Sequence, residues 1–180
     1  MMQRLEDFAV SLDGLVSIDE AIRMQPNDSK KEIEKAIQKW EEFKKSGDLA
    51  LARESLIRNL SGSLVFENYR CYEQAIFAYT HAAKSADALG MYELKIKLLT
   101  RLIGLSDYCK NPNVIMECVA WSYARIGEYH TKKGNWLIAV DSLIRASDKA
   151  TSIGIMPFRM TPYLKALQDL EKSGIAMIPM

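Results

Sequence analysis

The stretch G-N-W-L-I-A-V-D-S-L-I-R-A-S-D-K-A, residues 134–150, decides the fold. Trp136, Ala139, Val140, Leu143, Ala146 and Ala150, followed by Ile153, recur at three- and four-residue spacing. That spacing is the period of one helical face. The tetrapeptide Ser142-Leu143-Ile144-Arg145 also occurs at Ser55-Leu56-Ile57-Arg58, where Leu49, Ala52, Leu56 and Leu60 form a similar stripe.

Three glycines explain the recurrence. Gly47, Gly90 and Gly134 stand 43 and 44 residues apart, each between two helical patterns. Two residues after each comes Leu49, Tyr92 or Trp136; nine after comes Leu56, Leu99 or Leu143; eleven after comes Arg58, Arg101 or Arg145. Eleven before stand Ala36, Tyr79 and Tyr123. Shared offsets across several columns define three copies of a helix–turn–helix unit. The glycine accepts the left-handed conformation that closes a helix C-terminus. Asp48 and Asn135 are placed to N-cap the helices that follow, whereas Met91 has no side-chain oxygen for that task. Ser29 with Glu32 reads as a capping box opening the first helix.

The expected helices are about 29–46, 49–66, 69–89, 91–109, 113–133 and 136–153. No segment alternates as a strand does. The expected fold is all-α: three antiparallel helix hairpins over 29–68, 69–112 and 113–156. An N-terminal capping helix region (1–28) and a C-terminal capping helix with tail (157–180) complete one domain. In the second flank, Thr161 and Pro162 read as an N-cap and first-turn proline, and Gly174 as the stop.

Composition narrows the function class. A hydrophobic fraction of 48% and a charged fraction of 26% are those of an ordinary globular chain. A net charge of +1 leaves no basic footprint for nucleic acid. Cys71, Cys109 and Cys118 lack paired spacing, which points to a reduced, intracellular setting. The start M-M-Q-R-L-E-D-F-A-V is unlike a signal peptide, and no window is apolar enough to cross a membrane. Cytoplasmic location is the expectation, with no membrane partner.

No phosphate loop, GxSxG or HExxH motif is present, so no cofactor, metal site or catalytic role is expected. Gly62, between Ser61 and Ser63, reads as a point of close helix approach. His130 reads as a packing residue. The run at 30–45, six lysines against four glutamates, reads as a solvated helix face with pairs such as Glu41–Lys45.

The third unit, Y-A-R-I-G-E-Y-H-T-K-K-G-N-W-L-I-A-V-D-S-L-I-R-A-S-D-K-A, resembles a tetratricopeptide repeat (TPR). Tyr123, Ile126 and Gly127 match its first-helix aromatic, aliphatic and small positions; Gly134 matches the turn; Trp136, Ala139, Leu143 and Ala146 match the second helix. The first two units depart, with Trp40 where a small residue belongs and Lys95 where alanine does. An alternative phasing would read Y-E-Q-A-I-F-A-Y-T-H-A-A as a second helix, but it puts the glycines out of phase. The period exceeds the family's 34 residues, so the resemblance is to a long-repeat variety.

The resemblance implies a right-handed superhelix whose concave groove is lined by first helices. It implies a non-catalytic module or adaptor that binds a peptide or protein segment there. The groove columns contain Phe77 and Trp121; Gln38, His81 and Arg125; Glu41, Lys84 and Glu128; and Lys44, Asp87 and Thr131. The candidate binding residues are Phe77, His81, Lys84, Asp87, Trp121, Arg125 and Glu128, with the aromatics as anchors; the competing role for Phe77 and Trp121 is ordinary core. The family's clamp for a C-terminal carboxylate is not matched: of Ile37, Glu41, His81, Trp121 and Arg125, only Arg125 fits. Two other readings stand beside the adaptor. One is a structural module forming a homodimer through its end repeats or the tail S-G-I-A-M-I-P-M. The other is a small-molecule sensor or enzyme using His81 in a closed groove.

Overall fold

A computed structural model describes residues 24–154, and for residues 112–114 the backbone only. Six helices fill this span: α1 Pro26–Ser46, α2 Leu49–Asn68, α3 Tyr72–Ala88, α4 Tyr92–Ser106, α5 Pro112–Lys132 and α6 Trp136–Ser152. No strand occurs among the described residues. The flanking helices expected within 1–28 and 157–180 lie outside them, apart from the first residues of α1.

Two compact units emerge, one within Met1–Pro112 and one within Asn113–Met180. In the first, α1 packs on α2, α2 on α3 and α3 on α4, and α1 also touches α3. In the second, α5 and α6 meet at Gly127, where an added Cβ would lie 2.6 Å from Leu143 Cγ and 3.2 Å from the Ala139 carbonyl oxygen. Gly62 serves the first unit in the same way, with Ile33 Cγ1 at 2.7 Å from such a Cβ. Small residues here let helix axes approach more closely than any side chain would permit.

The leucine column is core. Leu56, Leu99 and Leu143 are all fully buried, each stabilising by about 2 kcal/mol relative to exposure. Ala139, Ala146 and Ala150 extend the buried stripe of α6. The column at the starts of the second helices behaves differently: Leu49 and Tyr92 are more than half exposed. Their offset marks the first residue of each helix, and Trp136 at the same place on α6 is partly covered.

The three turns inside the hairpins follow glycine chemistry, and the α2–α3 turn imitates it without a glycine. Gly47, Gly90 and Gly134 have φ of 73°, 71° and 73°. After α3, the Met91 amide donates to the Ala86 carbonyl at 2.9 Å and the Gly90 amide to that of Asp87 at 3.0 Å. After α5, Asn135 and Gly134 do the same to His130 and Thr131. This paired closure satisfies carbonyls that a helix end otherwise leaves open. The α2–α3 turn makes the identical pattern, from Cys71 to Phe66 and Arg70 to Glu67, yet its left-handed residue is Arg70, with φ of 59°.

Two capping expectations are corrected. Pro26 presets the backbone of the first turn, so α1 begins earlier, after Gln25, with no side-chain cap. Ser29 is therefore buried inside the helix, its hydroxyl donating to the Gln25 carbonyl at 3.2 Å. Glu32 instead engages Lys35 and Arg58, and the Lys35 hydrogen bond leads the effects that lower its pKa. Asp48 does cap α2, accepting from the Ala50 amide at 2.9 Å. Asn135 makes no side-chain cap on α6; its amide lies 3.2 Å from His130 Nδ1.

Candidate interaction faces on the first helices

The apolar register of α3 buries Ala75, Ile76, Ala78, Tyr79, Ala82, Ala83 and Ala86. At 100° per residue this leaves Phe77, His81 and Lys84 along one line on a different side. The Phe77 ring is 46% exposed and lies with its centroid 4.6 Å from that of His81, tilted by 52°. His81 is half-buried, and its pKa is pushed down to about 4, first by burial and then by the Lys84 charge. From α1, Glu41 opposes that shift and Lys44 adds to it. Glu41 and Lys44 pair with each other at 2.6 Å, so this pair, rather than Glu41–Lys45, is the one formed. The first helices of the first two hairpins thus share a face bearing an aromatic, a neutral imidazole and both signs of charge.

Asp87 lies to one side of this line. Its carboxylate accepts from Lys95 Nζ of α4 at 2.8 Å. Lys95, which stands where the family pattern has alanine, is buried along its stem and brings its charge to Asp87.

In the second unit, Trp121, Arg125 and Glu128 form a continuous stripe on α5. The Arg125 guanidinium sits 5.7 Å from the Trp121 ring centroid and bonds Glu128 Oε2 at 2.7 Å. Trp121 and Arg125 are half-buried. His130 stands edge-on to Tyr129 at 5.2 Å and is only partly covered. The seven candidate residues therefore gather into two sets, Phe77, His81, Lys84 and Asp87 in the first unit and Trp121, Arg125 and Glu128 in the second.

Sequence reasoning did not name the acid at the centre of a buried polar network. Glu67 on α2 is 1% exposed. It accepts from the Tyr79 hydroxyl of α3 at 2.9 Å and from the Arg101 guanidinium of α4. Burial drives the Tyr79 phenol well above its usual pKa. The signal available was the arginine column, whose Arg58 and Arg101 both reach acids on other helices. A second link joins Glu73, at the start of α3, to the Lys110 and Asn111 amides at 2.9 and 3.4 Å. Beside it Tyr72 and Tyr108 pack with ring centroids 5.5 Å apart.

Cys109 is partly buried, and desolvation pushes its thiol up to about 11; such a thiol is a poor nucleophile at neutral pH. Among the described residues, no group of three or more His, Cys, Asp or Glu is gathered closely enough to hold a metal ion. None of the described helices is long and apolar enough to cross a membrane. Comparisons with protein-family models, with curated proteins and with solved structures return no match.

Proposed function

We propose that the chain is a non-catalytic interaction module of TPR-like, long-repeat design, binding a peptide or protein segment along its first helices. The observation that carries this is Phe77: a large aromatic left 46% exposed, seated on His81, on a face shared by α1 and α3. An exposed aromatic held rigid by a neighbour loses little entropy on binding, which is what makes such residues anchors. Lys84, Lys44 and Glu41 around His81 supply orientation to a bound segment rather than a single-sign field. On α5, Trp121 with Arg125 offers a second anchor of the same chemistry.

The test is capture from native lysate by the tagged full chain, read by mass spectrometry. Three proteins are compared: wild type, Phe77→Ala, and the Trp121→Ala/Arg125→Ala double variant. Specific partners should be lost from both variants while circular dichroism shows unchanged helicity. An identical partner list from all three removes the site assignment.

A further inference from the structure

α6 differs from its two counterparts on the side turned away from the core. Its buried face is Ala139, Ser142, Leu143, Ala146 and Ala150. The opposite side carries Leu137, 90% exposed, and Ile144, 38% exposed, with Ile138, 51% exposed, at the rim. Three of the eight exposed large hydrophobic residues among the described ones thus lie on this helix. At the offset of Leu137 the other units place Ala50 and Glu93, both exposed. The third unit alone puts a large apolar group there.

The arginine column diverges as well. Arg58 reaches Glu32 on α1 as well as Glu54 one turn back on its own helix, and Arg101 reaches Glu67 on α2. Arg145 instead bonds Asp141, one turn back on its own helix, at 2.8 Å, with the Tyr123 hydroxyl also nearby. Asp141 and Arg145 are both more than half exposed.

We infer that the outward face of α6 is a docking surface for a second copy of this chain, the two α6 helices packing antiparallel about a two-fold axis beside Leu143. The pattern is self-complementary, as a two-fold interface requires. With the axis at that level, Asp141 of each copy stands opposite Arg145 of the other, forming two symmetric ion pairs. The two Ile144 side chains face each other between these pairs. Leu137 meets the aliphatic stem of Lys149 on the other copy. Each Arg145 then gains an acid from another helix, as Arg58 and Arg101 already have.

The test is sedimentation velocity on the full chain across a wide range of concentration. Wild type should show a reversible monomer–dimer equilibrium. Leu137→Glu/Ile144→Glu should be monomeric, with helicity unchanged because both positions are exposed. Asp141→Arg and Arg145→Asp should each weaken the dimer about tenfold or more, since like charges then oppose each other. An equimolar mixture of these two proteins should dimerise again, because one chain then brings only arginines to positions 141 and 145 and the other only aspartates. A wild type that is monomeric at every concentration overturns the proposal. So does a dimer insensitive to the Leu137 and Ile144 changes, or a charge-reversed mixture that stays monomeric.

Discussion

Arg101 of α4 and Glu67 of α2 form an ion pair in which the carboxylate is wholly shielded from water and the guanidinium nearly so. Removing one partner strands a buried charge, which costs far more than the pair itself contributes. Arg101→Met should lower stability by about 3–5 kcal/mol, whereas the double change Arg101→Met/Glu67→Leu should recover most of that loss. Tyr79→Phe deletes one hydrogen bond to the same carboxylate and should cost about 1–3 kcal/mol. Urea denaturation of the four proteins measures the pattern.

The helical glycines should respond to alanine with opposite signs. Gly127→Ala and Gly62→Ala press a Cβ into Leu143 and Ile33, so each should destabilise by about 1–3 kcal/mol. Gly104 lies on the exposed side of α4 with nothing within 4 Å of a new Cβ. Gly104→Ala should stabilise by about 0.5 kcal/mol through the unfolded chain's lost freedom. Thermal melts of the three variants decide it.

A further contrast concerns the turns. Gly134→Ala puts a side chain at φ of 73° and should cost about 1–2 kcal/mol. Arg70→Gly relieves the same conformation at the α2–α3 turn and should stabilise by about 0.5–1 kcal/mol. Urea midpoints of the two variants compare them. Equal and negative effects at both sites would contradict the account of these turns.

His81 should make stability depend on pH. Its folded-state pKa of about 4 lies below the unfolded value of about 6.5. Between those values the unfolded chain binds the extra proton, so this contribution is fully present above the unfolded pKa and is lost as pH falls toward 4. Glu32 and Glu73, both with lowered pKa, lose their contributions below their unfolded values. His81→Gln should therefore flatten the stability profile in the upper part of the acid range and leave the lower part sloping. Urea midpoints measured against pH test this, together with a proton NMR titration of the His81 ring.

Most of the helical architecture was legible because it rests on periodicity and turn chemistry, both local. The spacing of Gly47, Gly90 and Gly134 located three hairpin turns, and the leucine column located the core between them. Arg70 was invisible to the same ruler: its backbone does what glycine does elsewhere, and only the pairing of Cys71 with Phe66 exposes it. Ser29 misled because a capping signature competes with Pro26 three residues earlier, and the proline presets the turn. The Phe77 face was legible as a column, but the displacement of Asp87 toward Lys95 depends on a buried lysine on another helix. Glu67 was missed for a related reason: its partners lie 12 and 34 residues away, and no short-range pattern encodes such a meeting.

The single carboxylate of Glu67 ties three successive helices, and this bears on the order in which the first unit can assemble. In a chain folded only as far as Gly90, Glu67 and Tyr79 would be in place and Arg101 would not, leaving the carboxylate without its countercharge. Partial stacks ending at that turn are therefore penalised relative to both the fully open and the fully closed chain. Repeat arrays tend to unravel unit by unit from their ends; here one acid should make α2, α3 and α4 melt as a single cooperative block, which hydrogen exchange would read as a common rate in all three.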